Sequence, residues 1–110
     1  MGIGRFTIPQ GTLVEFKRLA AQAIEIARTM DTGTLQYEIF FNDEESECIV
    51  IERYKDSEAL MDHAANVADV MANIFATASG TSDMLGDPSA ELRTQVADGN
   101  VRLFRSFLSM

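Results

Sequence analysis

The chain is poor in the residues that most often staple or metallate small domains: one cysteine, one histidine, two prolines and no tryptophan. The single cysteine, Cys48, excludes an intrachain disulfide, a pattern that fits a reducing cytoplasm. Cys48 opens a strand with no basic neighbour to lower its pKa, so it reads as an inert thiol. One cysteine and one histidine cannot furnish a tetrahedral zinc site, and no HxxxH or HxxE spacing organises carboxylates around His63. Gly2 and Gly4 sit at the terminus without the strand-then-helix context of a phosphate loop. No zinc site and no phosphate-cradling loop is therefore expected.

Positive charge is scarce as well. Nine basic side chains against 17 acidic ones leave a formal net charge of −8. Such a surface repels phosphate backbones and anionic lipid, so neither nucleic acid nor membrane is an expected partner. No apolar run approaches the ~20 residues that a bilayer requires, and no basic segment followed by an apolar run opens the chain. A soluble, cytoplasmic protein is expected. The acidic run Asp43-Glu44-Glu45 reads as a solvated hairpin tip, and the methionines as core filling.

What is present is patterned for one compact α+β domain over residues 1–110, with 46% hydrophobic residues. Arg5 to Ile8 alternates as a strand and stops at Pro9. Thr12 and Glu15 have the form of a capping box. A helix follows to about Thr29, with Phe16, Leu19, Ala20, Ala23, Ile26 and Ala27 on one face. Leu35 to Phe41 and Cys48 to Tyr54 read as two strands of an antiparallel hairpin. Asp56 or Ser57 caps a second long helix that ends near Ser79-Gly80. Thr81–Leu85 is a fourth strand, and residues 86–110 form an extension: a helix over Ala90–Ala97, a turn at Asp98-Gly99-Asn100 and a strand from Val101 to Leu108. The order βαββαβ with this helix–strand tail is the ferredoxin-like arrangement, an antiparallel sheet with helices on one face. Apolar residues on both strand parities, such as Phe40 beside Ile39 and Phe41, point to a second buried sheet face and hence to a homodimer. The other reading packs them beneath the C-terminal tail.

Few residues are candidates for chemistry. His63 lies in the apolar stripe of the second helix with small neighbours, Ala59 and Ala64, where a neutral imidazole can exchange protons near neutral pH. A satisfied core histidine is the alternative. Asn66, one turn on, can orient a substrate hydroxyl or simply solvate the helix. Glu52 can orient His63 or act as a base, or merely pair with an arginine such as Arg53. Tyr37, Tyr54, Phe75 and Phe104 can shape a substrate cavity, or fill a core or an interface.

The stretch Gly33-Thr34-Leu35-Gln36-Tyr37-Glu38, followed by Ile51-Glu52-Arg53-Tyr54-Lys55-Asp56-Ser57-Glu58-Ala59-Leu60 and His63, resembles the antibiotic biosynthesis monooxygenase (ABM) domain family. The likeness spans roughly residues 5 to 85, and Gly86-Asp87-Pro88 resembles a subgroup with an added helix and strand. It implies a dimeric α/β barrel. It also implies oxidation of a small quinol or polyphenolic aromatic by O₂ without metal, haem or flavin, with His63 matching the family's helix histidine. Glu52 and Tyr54 match its strand motif. The absence of tryptophan departs from the aromatic-oxidising members. A ligand-binding dimer without catalysis, and a cofactor-free isomerase of a small metabolite, remain alternatives.

Overall fold

The computed structural model describes residues 1–97 and 99–110. The first residue of the turn expected at Asp98-Gly99-Asn100 therefore lies outside the described residues. The elements are β1 (Gly2–Thr7), α1 (Leu13–Met30), β2 (Thr34–Phe41), β3 (Glu47–Tyr54), α2 (Ser57–Asn66), α3 (Ala68–Thr77), β4 (Ser79–Leu85), α4 (Ala90–Val96) and β5 (Val101–Phe104). The sheet order is β2-β3-β1-β4-β5. The first four strands pair antiparallel, as a ferredoxin-like fold requires. The fifth corrects the expected all-antiparallel sheet. Because α4 carries the chain back across the fold, β5 runs parallel to β4.

Side chains alternate across the sheet, and one set meets the helices. Phe6, Cys48 and Val50 from the strands pack with Phe16, Leu19, Ala20 and Ala23 of α1 and Val70 and Ile74 of α3. The edge-to-face pairs Phe6–Phe16 and Phe16–Phe41, with centroids 5.7 and 6.1 Å apart, knit the sheet to α1. Among the described residues, no helix is long and apolar enough to cross a membrane.

Several expected boundaries moved, each for a local reason. β1 begins at Gly2 rather than Arg5, because it is the central strand and pairs on both edges along its whole length. The Thr12–Glu15 capping box does not form. Thr12 already has near-helical backbone angles, so its hydroxyl donates back to the Pro9 carbonyl, while the Glu15 carboxylate accepts from Arg18. The second helix is two, broken at Val67, whose φ of −99° and ψ of 7° leave the helical range. Asp56 does cap α2, accepting from the Ala59 N–H at 2.8 Å. The last strand stops at Phe104, since β4 ends at Leu85 and offers no further edge; residues 105–110 are exposed.

One close approach sets the geometry of the corner where α1, β2 and α2 meet. Gly33, between α1 and β2, lies so near α2 that a Cβ there would meet the Ala59 Cβ at 2.5 Å. The Lys55 N–H donates to the Gly33 carbonyl at 2.9 Å, fastening the start of β2 to the end of β3. A methyl at position 33 would push these segments apart. Gly33→Ala should therefore destabilise by roughly 1–3 kcal/mol in urea denaturation, the usual cost of overpacking. The double variant Gly33→Ala/Ala59→Gly should recover part of that loss; strict additivity of the two changes would contradict the contact.

Candidate functional site

The approach at Gly33 delivers Asp31, the residue that ends α1, to the flank of α2. There Asp31 Oδ2 meets His63 Nδ1 at 2.6 Å. The Asp31 carboxylate also accepts from the Thr34 hydroxyl at 2.7 Å and from the Asn66 side-chain amide at 2.9 Å. On the other side of the imidazole, His63 Nε2 lies 3.3 Å from Glu52 Oε1, and the Tyr54 hydroxyl donates to that same oxygen at 3.0 Å. The rings of Tyr37 and Tyr54 flank His63 at centroid distances of 4.9 and 5.4 Å. One imidazole is thus held between two carboxylates and two aromatic rings.

Burial grades along this line. The side chains of Asp31 and His63 are 3% and 5% exposed, whereas that of Glu52 is 25% exposed. Glu52 lines a cavity of about 50 Å³ between sheet and helices, together with Tyr37, Ile39, Met71, Phe75 and Ser82. His63 stands behind Glu52 rather than on the cavity wall. Gly2, opposite Glu52 in the sheet, keeps the space its carboxylate occupies: a Cβ there would lie 3.3 Å from Glu52 Oε2.

The charges respond to these neighbours. Burial alone would lower the His63 pKa, but its contacts with Glu52 and then Asp31 outweigh burial and raise it above the ordinary histidine value. Burial would raise the Asp31 pKa, yet the donors Asn66, Thr34 and His63 together bring it below the usual carboxylate range. Burial, and next the Glu52 charge, push both Tyr37 and Tyr54 well above the ordinary tyrosine value, so these hydroxyls stay protonated, and that of Tyr54 donates to Glu52. Burial pushes the Cys48 thiol up to about 11, in keeping with an inert group.

The residues named from sequence are distributed unevenly. His63, Glu52, Tyr37 and Tyr54 come together, and Phe75 is among the residues lining the cavity. Asn66 is present but spends its amide on Asp31. Phe104 lies apart, on β5, exposed beneath the Arg102 guanidinium at 5.3 Å. Asp31 was not anticipated; the available signal was a carboxylate just past the end of the first helix, two residues ahead of Gly33. Among the described residues, no three His, Cys, Asp or Glu side chains are arranged to hold a metal ion.

The profile of the family described as antibiotic biosynthesis monooxygenase matches residues 1–68, over half of the chain. The chain belongs to that family. Its fold is similar to that of MupZ from Pseudomonas fluorescens, at 25% identity and a TM-score of 0.83, over 99% of this chain and 90% of that one. It is also similar to Rv0793 from Mycobacterium tuberculosis, at 19% identity and a TM-score of 0.66, over 81% and 95% of the two chains. A third similar structure is SnoaB, a cofactor-independent oxygenase from Streptomyces nogalater, at 17% identity and a TM-score of 0.65, covering 74% and 84%. No curated protein matches the sequence.

The shifted groups of this family member make its stability depend on pH in a defined direction. Stabilisation from a raised His63 pKa is present in full below the ordinary value of about 6.5 and fades as pH rises through the raised value. Stabilisation from a lowered Asp31 pKa is present above the ordinary value of about 3.9 and fades as pH falls through the lowered one. His63→Gln should cost roughly 1–3 kcal/mol near neutrality, and the gap to wild type in urea denaturation should narrow as pH rises through the raised His63 pKa. A gap independent of pH would contradict the pairing.

Proposed function

We propose that this protein is a cofactor-independent monooxygenase that oxidises a small quinol or polyphenol with O₂. In this reading the Glu52–His63 pair accepts the proton that the substrate gives up. The observation that carries it is a partly exposed carboxylate on a cavity wall, Glu52, backed at 3.3 Å by a buried histidine. Glu52 takes the hydroxyl proton. The electron-rich anion passes one electron to O₂, and the radical pair closes a C–O bond. As the O–O bond breaks, Glu52 returns its proton to the departing oxygen, and the C–H hydrogen of the oxygenated carbon completes a molecule of water. The substrate loses four electrons, one oxygen atom stays as a carbonyl, and no external reductant is consumed. Tyr37 and Tyr54 donate hydrogen bonds, and Tyr37 and Phe75 contact the aromatic face.

The free space of about 50 Å³ is far below the roughly 300 Å³ or more of an ordinary small-molecule pocket. A bicyclic aromatic enters only if α3, with Met71 and Phe75, moves away from Tyr37. That tightness favours a second reading, a cofactor-free isomerase of a small metabolite in which the same pair moves protons without oxygen.

We infer further that the protein is a homodimer joined through the sheet face away from the helices. Ile3, Phe40, Ile49 and Ile51 lie together there by register, and Phe40 and Ile49 are exposed. Asp83 on the same face bridges Arg5 and Arg102, so an otherwise acidic chain carries a local excess of positive charge there.

Oxygen uptake against a panel of quinols and polyphenols tests the enzymatic reading. Wild type should consume oxygen, and Glu52→Gln and His63→Gln should each be slower by about 10²-fold or more, the usual contribution of a general base. Turnover that persists under argon would favour the isomerase, and unchanged uptake in both variants would sink the assignment. For the dimer, light scattering at micromolar concentration should give twice the chain mass, falling to one chain mass in Phe40→Glu/Ile49→Glu. A monomeric wild type would contradict it.

A further inference from the structure

We propose that Asp31 is the positioning residue of this site: from the end of α1 it holds the His63 ring so that Nδ1 keeps its proton and Nε2 is turned to Glu52. The proposal rests on the reading of Glu52 and His63 as the proton-transfer pair, and it divides the labour among three residues. Glu52 touches the substrate, His63 stands behind it, and Asp31 never reaches the reacting atoms.

The geometry makes the case. His63 has carboxylates on both nitrogens, but Asp31 at 2.6 Å is much nearer than Glu52 at 3.3 Å, so a single ring proton belongs on Nδ1. Asp31 has no use for that proton itself. Both of its oxygens already accept, Oδ1 from the Asn66 amide and Oδ2 from the Thr34 hydroxyl and His63. Three donors converging on a nearly sealed carboxylate fix it as an anion of set direction. Asn66 thereby supports Asp31 rather than the substrate. The other groups facing the ring are the phenols of Tyr37 and Tyr54, whose hydroxyls stay protonated. With His63 protonated, the cluster of Asp31, His63 and Glu52 carries a net charge of −1, the lone excess charge lying toward the cavity. This is the logic by which a buried carboxylate orients a catalytic imidazole, and its amide replacement leaves the shape while imposing the wrong tautomer.

His63 is the only histidine of the chain, so its imidazole nitrogens are unambiguous in ¹⁵N NMR spectra of the substrate-free protein. Titrated above its pKa, the wild type should show the Nδ1–H tautomer. In Asp31→Asn the new amide donates to Nδ1, so the ring proton should move to Nε2, and proton affinity should fall tenfold or more. Glu52→Gln should lower proton affinity without changing the tautomer. An Nε2–H tautomer in the wild type would overturn the proposal, and that measurement decides even where Asp31→Asn does not fold. Retention of the Nδ1–H tautomer in a folded Asp31→Asn would overturn it equally. Because the readout needs no substrate, a wrong tautomer removes the role of Asp31, whereas absent oxygen uptake removes only the oxygenase reading.

Discussion

The contact on which the rest of this structure depends is one imidazole shared between two carboxylates from different parts of the fold. Asp31 comes from the end of α1, Glu52 from β3 and His63 from the last turn of α2. Removing three ionisable groups from water is costly unless each finds charged and hydrogen-bonding partners. Here the cation sits between the anions, Asn66 and Thr34 complete Asp31, and Tyr54 completes Glu52. No buried polar side-chain atom among the described residues lacks a partner. The side-chain-free corner at Gly33 allows α1 and α2 to close on one another, so the site's geometry is a consequence of backbone packing rather than of loop placement.

The same electrostatics constrain the chemistry. A phenol beside Glu52 is held neutral, as Tyr37 and Tyr54 both illustrate, because burial and the nearby negative charge oppose its ionisation. A substrate hydroxyl placed there feels the same field. Proton transfer to Glu52 therefore requires a substrate more acidic than a tyrosine side chain, whose ordinary pKa is about 10. Quinols and polyphenols whose anions delocalise over several rings or carbonyls meet that condition. When protonated, His63 offsets part of that field from its place behind Glu52.

Much of the architecture was legible from residue spacing, and the gaps have physical causes. The helical period of Phe16, Leu19, Ala20 and Ala23 and the alternation of β2 and β3 arise from burial on one face, which sequence records directly. The start of β1 was hidden because Gly2 and Gly4 carry no side chains to alternate, although both face the helices. The break at Val67 left no mark, since Val67 and Val70 continue an apolar stripe through it. His63 was visible as a polar residue within that stripe. Its partner Asp31 was not, because a pairing across 32 residues depends on how closely two elements approach. Phe104 misled for the opposite reason: aromatic character says nothing about which sheet face a strand presents, and parallel pairing with β4 sets it away from the cavity.

The central claim is that Glu52, backed by His63, takes a proton from the substrate before oxygen is involved. The most direct measurement is oxygen uptake with a series of quinols and polyphenols whose hydroxyl pKa values straddle the assay pH. Glu52→Gln should slow compounds that are neutral in solution by about 10²-fold or more and leave compounds already ionised nearly unaffected. An equal loss on both kinds of compound would contradict a proton transfer to Glu52.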